Sequence, residues 1–193
     1  MSLAEHMARG LFVGWQFLRF DPGALKFLES GGRSALRSFS ALLFTLPLYA
    51  LSVYLVGLDT NLPRFAATPM PAFLAGHIIA YPVFALALFY LARFLHRAVN
   101  FARFLSAYNW SRVYAFALIL PVEALIGFRL TPAWADNGLL TLTAIFILIY
   151  QGNVAGRALG VFWFHAGLIA LFDWVLILLV ERSLVNLMVP VLQ

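Results

Sequence analysis

Cysteine is absent from this 193-residue chain, which excludes disulfides, thiolate metal sites, cysteine nucleophiles and thioether-linked haem. Charge is scarce too: 11% of the residues are charged against 63% hydrophobic, and the mean hydropathy is +0.90. That is too apolar for a surface in contact with water. Enzyme signatures are likewise missing, with no Gly-x-Ser-x-Gly elbow, no His-Glu-x-x-His, no glycine-rich phosphate loop and no paired acidic motif. With 8 acidic residues and 4 histidines in the chain, few catalytic constellations are possible. The expectation is a protein that is not an enzyme, with no resident cofactor or metal.

What the chain has in abundance is apolar length. Five stretches are long enough, or nearly so, to cross a bilayer at about 20 residues per crossing. They run over 36–58, 72–95 and 110–128, with two more sharing 139–180. The fold class expected is all-α, a polytopic bundle of five transmembrane helices. Two crossings in 139–180 leave almost nothing for a connection, so a tight turn is expected between Asn153 and Val161. The division expected is an interfacial segment over 1–34, the bundle over 35–182 and a short exported tail over 183–193.

Orientation follows from basic residues in short flanks. Ten of the 13 lysines and arginines fall on one side when Arg112 is counted with the connection before the third span; Arg64, Arg129 and Arg182 fall on the other. The positive-inside rule then puts the N-terminus in the cytoplasm and the C-terminus outside. The net charge of +5 reads as this topology signal and as a match to anionic lipid headgroups, not as a nucleic-acid surface. No nucleic-acid partner is expected.

Charges at Glu5, Arg9 and Arg19 interrupt the N-terminal segment, which reads as interfacial and not as a signal peptide. Leu3, Met7, Leu11, Trp15 and Leu18 recur at helical spacing, the pattern of a helix in the headgroup plane. Asp21 and Pro22 fit an N-cap and first turn, and Gly31 with Gly32 fits a stop, so a second short amphipathic helix is expected over 22–30. The two segments would cover the bundle's cytoplasmic ends or dock a partner.

Pro47, Pro82 and Pro121 lie inside spans, where each removes an amide donor and kinks its helix. Three ionisable residues lie well inside the spans: His77, Glu123 and Asp173. Counting from the expected outer ends puts all three at a similar depth, about 8 to 11 Å below the outer surface. A histidine between two carboxylates suits a proton or cation relay; the plainer alternative is a hydrogen-bonded cluster that fastens three helices. Gly152, Gly156 and Gly160 form a small-residue ladder on which a second helix can approach closely, or they shape the tight turn.

The run Tyr150-Gln151-Gly152-Asn153-Val154-Ala155-Gly156-Arg157-Ala158-Leu159-Gly160-Val161, closing on Ala170-Leu171-Phe172-Asp173, resembles bacterial members of the Yip family (Ypt-interacting proteins). Asp21-Pro22 followed by Phe27-Leu28 is similar to the stretch before the first span in those proteins. Their Asp-Leu-x-Gly-Pro eukaryotic signature is absent, so small-GTPase binding is not implied. The resemblance implies an inner-membrane protein without catalytic residues, a scaffold or accessory subunit in membrane organisation, with lipids and a membrane-protein partner or a second copy as its contacts. The alternative from the residues themselves is a small proton- or cation-coupled carrier or channel using the outer-half polar cluster.

Overall fold

The computed structural model describes residues 2–28, 31–58 and 70–192. Among them every regular element is helical: α1 (Leu3–Leu18), α2 (Gly32–Arg37), α3 (Leu42–Leu58), α4 (Met70–Phe94), α5 (Phe101–Gly127), α6 (Ala133–Leu159) and α7 (Trp163–Leu192). Short 3-10 turns occur at Ala24–Phe27, Ser38–Ala41 and Ala98–Asn100. Five of the helical segments are long and apolar enough to cross a membrane, the first formed by α2, its 3-10 turn and α3 together. The protein is an all-α polytopic bundle, as lipid demands of a chain whose backbone groups must be satisfied within each segment. The helices run unbroken through Pro47, Pro82 and Pro121. The stretch 59–69, with Arg64, lies outside the described residues.

The third span begins earlier than its hydropathy suggests. α5 starts at Phe101, and α1, α2, α3 and α6 all pack on it. Ser106, Asn109, Ser111 and Arg112 read as a polar flank in the sequence; they are buried instead, facing other helices. Arg112 is therefore no headgroup arginine.

The connections close tightly. Asn100 Nδ2 donates to the Leu159 carbonyl at 2.9 Å, and Arg103 Nε donates to that of Ala158 at 3.3 Å. The last carbonyls of α6 are thus satisfied from the α4–α5 connection and the first turn of α5, which puts the two connections at the same end of the bundle. Gly160 ends α6 at φ 73°, in the turn region expected, where its lack of a Cβ suits the left-handed backbone. α7 continues past Val180 to Leu192, so most of the expected tail is helix.

One of the N-terminal expectations needs correction. α1 does form, closed by a capping box in which Glu5 N–H donates to Ser2 Oγ and Ser2 N–H to Glu5 Oε2. Its buried face is His6, Gly10, Val13, Gly14 and Phe17, while Leu3, Phe12 and Trp15 are exposed. The small residues let α1 lie directly against Trp110 and Tyr114 of α5. Tyr114 and Tyr150 fix it there by donating to the carbonyls of Leu11 (2.8 Å) and Gly14 (3.0 Å). The helix expected over 22–30 is only the turn Ala24–Phe27, with Glu29 and Ser30 outside the described residues. Asp21 Oδ1 accepts from Gly23 N–H at 2.7 Å, closing a local turn instead of capping a helix.

A Cβ on Gly10 would lie 2.1 Å from Trp110 Cε2, whereas one on Gly138 meets open space. Gly10→Ala should therefore destabilise α1 docking by about 1–3 kcal/mol, read as a lower Tm in detergent and faster proteolysis of the N-terminal segment. Gly138→Ala should leave both unchanged or slightly improved.

Candidate functional site

The strongest polar feature lies between α5 and α7. Arg112 and Asp173 are 2% and 0% exposed. The guanidinium meets the carboxylate at two points: Nη2 donates to Oδ1, and Nε donates to Oδ2 at 3.3 Å. This fork matches the planar shape of a carboxylate, which arginine does and lysine cannot. The guanidinium carbon sits 4.2 Å from the ring centre of Tyr81, 4.7 Å from that of Phe84 and 5.5 Å from that of Tyr108. Aromatic faces thus take the place of water around the cation.

From this pair a string of polar groups runs along one face of α3, through Thr45, Tyr49 and Ser52. Thr45 Oγ1 stands 2.8 Å from Tyr81 Oη and 3.3 Å from His77 Nε2. The His77 ring stacks on Tyr49 with centroids 4.3 Å apart. Tyr49 Oη donates to Glu181 Oε1 at 2.6 Å, and Ser52 Oγ donates to Glu123 Oε1 at 2.9 Å. The hydrogen bonds fall into three groups, Tyr81–Thr45–His77, Tyr49–Glu181 and Ser52–Glu123, with ring stacking between His77 and Tyr49. Beyond Arg112, Phe84, Phe104, Tyr108 and Tyr150 pack in the main apolar cluster.

A cavity of about 160 Å³ adjoins the pair, and His77, Arg112, Gln151 and Asp173 stand on its wall. Arg112 Nη1, His77 Nδ1 and Gln151 Oε1 are buried without a hydrogen-bond partner. The space exceeds the roughly 30 Å³ that one water occupies in the liquid, and its polar partners suit water. Among the described residues no group of three or more His, Asp or Glu side chains could hold a metal ion.

His77 and Asp173 thus share one cavity, but Glu123 stands apart with Ser52. The expected common depth does not hold for Glu123 and Asp173. Asp173 is level with Arg112, and Glu123 is eleven residues further along α5, about 16 Å. The estimate failed because α7 extends beyond the assumed end of its span. Gly152 and Gly156 face α7, where Cβ atoms built on them would meet Gly167 at 3.7 Å and Ala166 at 3.2 Å; Gly160 belongs to the turn.

Arg112, Thr45, Tyr81, Gln151 and Glu181 were not among the residues the sequence singled out as a site. One signal for Arg112 was available: Asp173 inside an apolar span requires a cation, and Arg112 directly precedes the long apolar run of α5. No family model, curated protein or solved structure matches this chain.

Removing one partner of the pair should be worse than removing both, because a lone charge remains buried. Arg112→Met and Asp173→Leu should each cost about 3–5 kcal/mol of stability in detergent unfolding, and the double variant should recover much of that loss. Losses that simply add would mean the two residues do not act as a pair.

Proposed function

We propose that this multi-pass membrane protein is a non-catalytic scaffold or accessory subunit of the Yip type, acting in the organisation of a bacterial inner membrane. The observation that carries this reading is the cross-tied interior. Arg112–Asp173 joins α5 to α7, Thr45–Tyr81 joins α3 to α4, Ser52–Glu123 joins α3 to α5 and Tyr49–Glu181 joins α3 to α7. Such ties oppose the rocking of one helix group against another that alternating access requires. They suit a rigid platform that presents its outer faces to lipid and partners. The sequence likeness to Yip proteins points the same way.

The cavity beside Arg112 favours a second reading, a small proton- or cation-coupled carrier or channel, since a dry fastener has no need of unpartnered polar atoms on an open space. Purified protein in liposomes with a pH-sensitive dye and an imposed membrane potential separates the two. The scaffold reading expects proton flux no greater than in protein-free vesicles. Flux that disappears in His77→Phe would replace it with the carrier.

The N-terminus lies on the cytoplasmic side in this proposal, because the bias of basic residues toward that side persists with Arg112 removed from the flank. A reporter fused after Gln193 should then behave as exported. Cytoplasmic behaviour would reverse the assignment.

A further inference from the structure

On the outer side of α6 and α7 runs a groove of about 890 Å³, within the roughly 300–1,000 Å³ range of small-molecule sites. Its charge is confined to one end. Arg157 and Asn153, one turn apart on the same face of α6, stand where the helix approaches its C-terminus. Arg157 Nη1 and Asn153 Nδ2 are both buried without a hydrogen-bond partner. Both are donors, and one carries charge. Away from that end the wall turns apolar, through Ile149, Leu148 and Ile145 to Thr141. From Arg157 to Thr141 is sixteen residues, about 24 Å of helix, against about 15 Å for one leaflet's hydrocarbon.

We propose that this groove holds one anionic phospholipid, its phosphate oxygens accepting from Arg157 and Asn153 and an acyl chain lying along α6. A transmembrane helix of a second copy would fit the apolar part. It would leave the two donors unanswered unless it brought an acceptor to the same depth, and a buried unanswered donor is costly in lipid. A phosphate headgroup supplies charge and acceptors together, at the interface where Arg157 sits and where anionic lipid is attracted. The inference is independent of whether the bundle is a scaffold or a carrier.

The test uses the full-length protein in mild detergent, with phosphatidylglycerol and phosphatidylcholine as probes. Phosphatidylglycerol should be retained through purification and should raise Tm more than phosphatidylcholine does; inorganic phosphate alone should not. Arg157→Gln should lower the retained ratio of phosphatidylglycerol to phosphatidylcholine about fivefold, the equivalent of one interfacial arginine, and Arg157→Lys should restore part of it. Ala144→Trp, which fills the groove away from the charged end, should weaken retention of both lipids while Tm without lipid stays near the wild-type value. The absence of native cysteine makes Ile149→Cys a clean report on the other occupant: efficient disulfide crosslinking between copies in a bilayer would overturn the proposal. So would an unchanged lipid ratio in Arg157→Gln, and so would a response to inorganic phosphate equal to that of the lipid.

Discussion

The bundle depends on a charge pair where charge is least welcome. Placing an arginine or an aspartate at the centre of a transmembrane helix costs about 2.5–3.5 kcal/mol on insertion scales, and a lone buried charge there has no partner to offset that cost. Arg112 and Asp173 answer one another at two points, with Tyr81, Phe84 and Tyr108 stacked around the guanidinium. The pair ties α5 to α7, and the rings of Tyr81 and Phe84 bring α4 to the same point. Thr45, bonded to Tyr81, then aligns α3. One desolvated contact thus involves α4, α5 and α7 directly and reaches α3 through the Tyr81–Thr45 bond.

Glycine sets the distances between the helices so aligned. Lipid tails are as apolar as a leucine side chain, so helices in a bilayer gain by close packing more than by hiding apolar surface. A Cβ on Gly76 would stand 3.2 Å from the Glu181 backbone, and one on Gly127 would stand 2.6 Å from the Leu55 carbonyl oxygen. α4 can therefore lie against α7 near Tyr49–Glu181, and α5 against α3 near Ser52–Glu123. The glycines and the hydroxyl–carboxylate bonds are two parts of one arrangement.

The same physics decides what was legible in the sequence. Span number and approximate position were readable, because about 20 apolar residues have few other uses. The start of α5 was not, because polarity at Ser106, Asn109, Ser111 and Arg112 looks identical whether it faces water or other helices. On α1, Gly10 and Gly14 go inward together with Val13 and Phe17 and leave Leu3, Phe12 and Trp15 exposed, an inward face that apolar spacing alone did not pick out. His77 and Asp173 were found because ionisable groups in a span are rare. Their partners were not, because tyrosine and threonine are common in spans and only tertiary contact shows which of them bond.

The Arg112–Asp173 pair also limits what the cavity beside it can do. A carboxylate already engaged by a guanidinium offers a cation little further attraction, since the pair is neutral as a unit and any new ligand must compete with a two-point bond in a low dielectric. His77 is the group there without a charged hydrogen-bond partner, held by Thr45 on one nitrogen and open on the other. If the cavity does chemistry, it therefore does it at His77, with Arg112 and Asp173 keeping the helices in place. Trp174 adds a constraint from the other direction, because its indole lines both this cavity and the groove on the outer side of α6 and α7. One side chain thus stands between the buried pair and the lipid-facing surface.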